Sequence, residues 1–339
     1  MSTNLSLLDE LIALGHGKIR SPDCLIAIRA PELSRIDVHR AQKLFPKTGA
    51  HPIELERYTT LQSFLDRPLP TAFHLELALI EEGNLLTLKM SHVLGDAVSM
   101  FLFLRALLGL EVSPEEIVLK SFPRKKDTPY RKLLNSTRFG GAGEVSSERR
   151  YLFASVEHGE KNFPQWNDRL LLALLEALPV RRKGIWVPVN VRKNFWAGFG
   201  NGLSRLRIYP PEGKSQDEKL AHIRRQKQQA LRSGEVSLPP ATFHLRSFRK
   251  RFLYQTWVRR PWADWCSLSL SHLTNSQGFL DGFEDIHGVS NLMPRHNAAL
   301  FAVTHAGKTD FTLTFDPRRV SETEARQLLG GFLENLRAQ

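Results

Sequence analysis

From Leu75 the chain alternates with a period of two: Leu75, Leu77 and Leu79 fall on one face, Glu76, Ala78 and Ile80 on the other. That is the pattern of a strand. Glu81-Glu82-Gly83-Asn84 supplies a turn, and the alternation resumes with Leu86, Leu88, Met90 and His92 opposite Leu85, Thr87, Lys89 and Ser91. The spacing predicts a hairpin whose second strand ends by placing an imidazole on an otherwise apolar face. Gly95 permits a tight turn and Asp96 stands at an N-cap position. Val98-Ser99-Met100-Phe101-Leu102-Phe103-Leu104 is then apolar nearly all round, as a buried helix requires. A strand delivers a histidine to a turn, and a buried helix carries the chain away.

Before this stretch, Leu5 to Leu14 reads as a short helix and Cys24–Ile28 as a strand, while Pro46, Pro52, Pro68 and Pro70 interrupt what lies between. After it, residues 121–150 are polar and aperiodic, with Pro123, Pro129 and Gly140-Gly141-Ala142-Gly143, and read as a crossover between two halves. Asn167-Asp168 looks like the cap of a helix through Leu170–Leu175 that ends before Pro179. Ile185, Val187, Val189 and Val191 alternate as a strand, in which Pro188 implies an edge or a bulge. Gly198-Phe199-Gly200-Asn201-Gly202 lacks the third glycine of a dinucleotide-binding loop and opens a strand, Leu203–Tyr209, so it is not read as one. Ser215-Gln216-Asp217-Glu218 is a capping box for a helix to about Leu231 that turns Leu220, Ile223 and Ala230 inward. A strand around Cys266–Leu273 and a hairpin of Ala299–Thr304 with Phe311–Phe315 follow. A second box, Ser321 to Glu324, opens a final helix that buries Leu328, Leu329, Phe332, Leu333 and Leu336. Strands and helices mix in each half with hairpins and long connections, which is α/β with mixed sheets rather than a βαβ series. The halves divide as residues 1–150 and 151–339.

Composition changes this picture in two respects. Among 339 residues there are two cysteines, Cys24 and Cys266, so no disulfide framework and no metal-ligand cluster is expected, and a reducing, cytoplasmic setting is. The N-terminus carries Asp9 and Glu10 beside a short apolar run, unlike a signal peptide, and no apolar run approaches the ~20 residues of a membrane span. The net charge of +12 is lopsided: residues 1–120 hold 12 Lys/Arg against 15 Asp/Glu, and residues 121–339 hold 35 against 20. A basic second half favours anionic partners: nucleic acid, anionic lipid, phosphorylated cofactors or acidic proteins. Its densest stretch sets Arg246, Arg249, Lys250, Arg251, Arg259 and Arg260 among Phe243, Phe248, Phe252, Tyr254 and Trp257. Such a mixture suits single-stranded nucleic acid, a membrane surface, an acidic carrier protein or the phosphates of a cofactor, and equally a solvated face over an aromatic stripe.

A lone histidine on an apolar face is more often a core residue than a catalyst; here the strand end, glycine turn and helix start favour a cleft. The motif Ser91-His92-Val93-Leu94-Gly95-Asp96-Ala97 resembles the His-His-x-x-x-Asp-Gly signature of the chloramphenicol-acetyltransferase-like superfamily. That group includes condensation domains, polyketide-associated acyltransferases and plant BAHD acyltransferases. The resemblance continues in the same order through Leu170–Leu178, Trp186–Arg192, Gly200-Asn201-Gly202-Leu203, Ser269–Asn275 and Phe311–Asp316, covering roughly residues 60–339. Ser91 stands where the first histidine would be, Ala97 where a glycine would be, and the BAHD Asp-Phe-Gly-Trp-Gly motif is absent.

The resemblance implies a two-lobed fold with an active-site tunnel between the lobes, and His92 as general base in thioester-dependent acyl transfer. It implies a structural role for Asp96, paired with Arg192 from the other lobe. Donors for the oxyanion would come from Gly95 and from Thr274, Asn275 or Ser276. Arg249, Lys250 and Arg251 are candidates for holding the donor. Coenzyme A or a phosphopantetheine thioester would serve as co-substrate, with no tightly bound cofactor and no metal. The partners implied are acyl-CoA or an acyl carrier protein and a small-molecule hydroxyl or amine. Peripheral membrane contact is compatible with the basic stretch, and nucleic acid is not expected. The alternative is a non-catalytic member of the fold that binds a carrier protein or organises a biosynthetic complex.

Overall fold

The computed structural model describes residues 4–5, 23–45, 48, 52–70, 74–92, 94–112, 128–129, 148–158, 163–178, 184–190, 203–233, 268–275, 278–290, 292 and 297–339. The first half contains β1 (Asp23–Arg29), α1 (Val38–Leu44), β2 (Leu55–Tyr58), α2 (Leu61–Asp66), β3 (Leu75–Ile80), β4 (Leu85–Ser91) and α3 (Ala97–Leu107). The predicted hairpin is β3 and β4, joined through Gly83 and Asn84, whose φ values of 79° and 49° are the left-handed ones such a turn needs. Asp96 caps α3 as its position predicts. Most of the predicted Leu5–Leu14 helix lies outside the described residues; Asn4–Leu5 pairs with Thr128–Pro129 as a short antiparallel bridge.

The second half contains β5 (Arg150–Glu157), α4 (Phe163–Ala177), β6 (Ile185–Asn190), β7 (Leu203–Ile208), α5 (Gln216–Ser233), β8 (Leu268–Thr274), β9 (His287–Val289), β10 (Ala298–His305), β11 (Lys308–Phe315) and α6 (Glu322–Arg337). Two mixed sheets result. One has five strands in the order β9-β1-β4-β3-β2, the other six in the order β5-β11-β10-β8-β6-β7. β9 therefore leaves its own half and pairs antiparallel with β1, at the edge of the first sheet. The N–H groups of Gly288 in β9 and of Ser290 just after it donate to the hydroxyls of Thr312 and Thr314 on β11, so one short segment touches both sheets.

Alternation explains the packing. Leu268, Leu270, Ala298, Leu300, Ala302, Phe311, Leu313 and Phe315 join a core with residues of α4, α5 and α6. On the opposite face, Leu273, Phe301 and Val303 pack with β1, β4 and α3 of the first half. β4 is buried on both faces: Leu86, Leu88 and Met90 meet α3, while Leu85 joins Leu25, Phe64 and Leu65 on the other side. Thr87, Lys89 and Ser91 are fully buried too, where alternation alone suggests a polar outer face.

Three expectations need correction. The helix assigned to start at Asn167 begins a turn earlier, at Phe163, with Pro164 in the first turn where its missing N–H is not needed. Asn167 and Asp168 instead use their side chains across the fold. Lys227 Nζ donates to Asn167 Oδ1 at 3.0 Å and Asp168 Oδ1 at 2.8 Å, and Arg224 donates to Asp168 Oδ2 at 3.0 Å. Pro188 is not on an edge, since β6 lies between β8 and β7. The register between β6 and β8 is a single pair, Ser269 with Trp186; Pro188 has no N–H to offer on the same side two residues later. Of the four leucines and one phenylalanine expected inside α6, Leu329, Phe332 and Leu336 are buried, whereas Leu328 and Leu333 only pack against that core from its margin.

Asn167 also opens a chain of hydrogen bonds whose direction is fixed as far as Thr304. Lys227 can only donate, so Asn167 presents its oxygen to Lys227 and its Nδ2 to His272 Nδ1, 3.1 Å away. His272 Nε2–H then donates to Thr304 Oγ1 at 2.8 Å, and Thr304 Oγ1 shares a hydrogen bond with Thr309 Oγ1 at 2.8 Å. Thr309 Oγ1 accepts from Trp166 Nε1 at 2.9 Å and shares a hydrogen bond with His158 Nε2 at 2.7 Å. Burial, with the nearby Lys227 charge, holds the His272 imidazole down to about 3.

Candidate active site

His92 follows the last residue of β4 and is half-buried. The turn after it closes through Leu94 N–H donating to Ser91 O at 2.9 Å, and Leu94 packs into the core between the two sheets. Gly95 is required by contact rather than by backbone angle. A Cβ there would lie 2.4 Å from Ser99 Cβ and 2.6 Å from its Oγ, and Gly95 is not among the residues with positive φ. The turn thus presses directly on the first turn of α3. Ala97, in place of the signature's glycine, is the first residue of α3 and also has no positive φ, so alanine fits without strain.

Asp96 is fully buried and faces the helix it caps. Its Oδ1 accepts from Ser99 N at 3.2 Å and lies 3.3 Å from Ser99 Oγ. The carboxylate thus sits at the positive end of the α3 dipole. Arg192, Ser276, Arg249, Lys250 and Arg251 lie outside the described residues. Thr274 shares the parity of Leu268, Leu270 and His272, the helix-covered face of the second sheet. Asn275 is engaged in its own loop: its Oδ1 accepts from Leu280 N at 2.6 Å, and its Nδ2 donates to Asp281 at 2.7 Å.

Sequence reasoning missed a buried group of charges on the side of β4 away from α3. Lys89, fully buried, donates to Phe64 O at 2.7 Å and to Arg67 O, lies 3.3 Å from Glu76, and stands 4.4 Å over the Phe64 ring. Burial lowers the Lys89 pKa and raises that of Glu76, in each case against the pull of the partner's charge. Beside them Arg149 grips Asp23: Nη1 donates to Asp23 O at 2.9 Å and Nη2 to both carboxylate oxygens at 3.0 Å. No local signal marks Arg149, because its partner lies 126 positions away. Among the described residues no group of three or more His, Cys, Asp or Glu side chains could hold a metal ion, and no helix is long and apolar enough to cross a membrane.

No family model matches the sequence, and no curated protein matches it. Solved structures do. A nonribosomal peptide synthetase, FmoA3 bound to α-methyl-L-serine-AMP, matches 99% of this chain at 13% identity with a TM-score of 0.63; the chain spans 44% of that synthetase. The starter condensation domain of rhizomide synthetase RzmA, in complex with C8-CoA and Leu-SNAC, matches over 98% of this chain and 94% of its own, at 11% identity and a TM-score of 0.60. The chain has the condensation-domain fold. A wax ester synthase/diacylglycerol acyltransferase from Marinobacter aquaeolei VT8 shares it over 99% of this chain and 98% of its own, at 16% identity and a TM-score of 0.54. That fold accounts for the two mixed sheets.

Proposed function

We propose that this protein is an acyltransferase that moves an acyl group from a pantetheine thioester to a hydroxyl or amine of a small-molecule acceptor. The donor is acyl-CoA or an acyl carrier protein. One observation carries the reading: His92 stands in the strand-end turn that leads into α3, and Asp96, at the start of that helix, is buried and caps it, so the imidazole rather than the carboxylate is read as the base. In this reading His92 accepts the proton of the acceptor O–H or N–H as the heteroatom attacks the thioester carbonyl. The new C–O or C–N bond forms, the carbonyl electrons move onto oxygen, and backbone N–H groups near Gly95 steady that charge. Collapse breaks the C–S bond, and the imidazolium returns its proton to the departing thiolate. No acyl-enzyme is needed, because the thioester is already activated.

The lobes in this reading are residues 1–150 and 151–339, with the substrate tunnel between them. Arg192 pairs with Asp96 across that gap, and Arg249, Lys250 and Arg251 hold the donor's phosphates or an acidic carrier. The setting is the cytoplasm. Mass spectrometry of purified protein with a panel of acyl thioesters and acceptors tests the activity, and His92→Ala tests the base. Loss of transfer in a variant with an unchanged melting curve is expected. A folded His92→Ala with near-normal turnover overturns the assignment, and carrier-protein binding without turnover of any thioester would make the protein a binding module.

A further inference from the structure

Asp23 and Arg149 are both nearly inaccessible, at 0% and 3% exposure. A guanidinium that donates to both oxygens of one carboxylate and to the same residue's backbone carbonyl has little freedom to tilt or slide. The location matters as much as the geometry. Asp23 is the first residue of β1 and is the cross-strand partner of Ser91, the residue immediately before His92. On the other side of β4, the Ser91 N–H donates to His74 O at 3.0 Å. Arg149 is itself fixed, its carbonyl accepting from Gln62 Nε2 at 2.8 Å, and the next residue, Arg150, opens β5 opposite Phe315. One residue thus links the strand pair that ends at His92 to the six-stranded sheet.

Stability alone is a weak reason for such a pair. Removing two charges from water costs about as much as their attraction returns, and an apolar pair of similar volume often serves as well. What an apolar pair lacks is a single enforced geometry. We propose that Asp23 and Arg149 are positioning residues for His92: the forked pair sets the end of β4, and so the imidazole, in register with the second sheet. This rests on the reading of His92 as the base. Neither side chain touches substrate in this role.

Two variants separate positioning from mere stability. Arg149→Lys keeps the charge and loses the fork; Asp23→Leu combined with Arg149→Met keeps the volume and loses both charges. Each is measured for its melting midpoint, for the rate at which diethyl pyrocarbonate modifies His92 (read by peptide mass spectrometry), and for kcat and KM with a turned-over thioester. In the folded variants kcat is expected to fall about tenfold or more, with KM held within about twofold, because small misplacements of a reacting group are costly. The His92 modification rate should shift by about threefold or more in the same variants, as its surroundings change. A folded double variant with wild-type kcat and wild-type His92 reactivity overturns the proposal. If wild type turns over no thioester, the acyltransferase reading fails by itself, and His92 reactivity still decides the positioning role. Should Arg149→Lys not fold, Asp23→Asn carries the same readouts.

Discussion

Acid should destabilise this protein through His272 before its carboxylates matter. Asn167 donates to Nδ1, so the neutral ring has its acceptor in use, and a proton at Nδ1 would set two donors against each other. Lys227 at the head of the chain prevents the bonds from reversing. Burial holds the imidazole at about 3, against an ordinary value of 6.5, so the unfolded chain takes up the proton first. This contribution to stability is complete above about pH 6.5 and is lost progressively as pH falls toward about 3. Each pH unit in that window removes ~1.36 kcal/mol, so acidification from about pH 7.5 to about pH 5.0 should cost about 2 kcal/mol through this one ring. Urea unfolding at the two pH values measures the loss. His272→Gln, which retains an acceptor and a donor without titrating there, should start less stable but lose about 2 kcal/mol less on acidification. Equal acid sensitivity in the two proteins would refute the argument, whatever their absolute stabilities.

Two further outcomes follow from buried contacts. Lys89→Met leaves the Glu76 carboxylate, 6% exposed, without its nearest cation, and should cost about 3–5 kcal/mol in urea unfolding. Adding Glu76→Gln should recover part of that loss; a double variant less stable than the single one would contradict it. Gly288→Ala puts a Cβ 2.2 Å from the Phe301 ring and should cost roughly 1–3 kcal/mol, a loss partly relieved by Phe301→Leu in a thermal-melt comparison. No relief would mean that the ring is not what constrains Gly288.

The elements legible in the sequence are those whose causes are local. The 75–91 hairpin shows in its alternation, and the caps at Asp96, Ser215 and Ser321 bond the backbone three residues on. Asn167 and Asp168 misled because a residue that favours an N-cap can be more strongly engaged by distant partners, here His272, Lys227 and Arg224. Thr87 and Lys89 misled because alternation reports which side chains share a face, not whether α2 covers the second face. At the candidate site, the strand end before His92 and the N-cap at Asp96 were legible from the local pattern. Asp23 and Arg149 were not, because nothing near either residue in the sequence refers to the other.

The return of β9 to the first sheet has a consequence for synthesis. The edge of β1 that β9 covers is made about 260 residues before β9 itself. At roughly 5–20 residues per second, the ribosome needs on the order of 10–50 s to close that interval. Throughout it the backbone donors and acceptors along Leu25–Ala27 lack the strand that covers them, the kind of edge onto which another chain can add. The first half therefore cannot complete its sheet while it emerges; completion must await residue 289 and the hydroxyls of Thr312 and Thr314 that anchor β9 from behind. A fragment ending near residue 150 keeps this edge bare permanently, so its recovery in soluble form depends on a partner, or on a supplied peptide spanning residues 284–292, to close it.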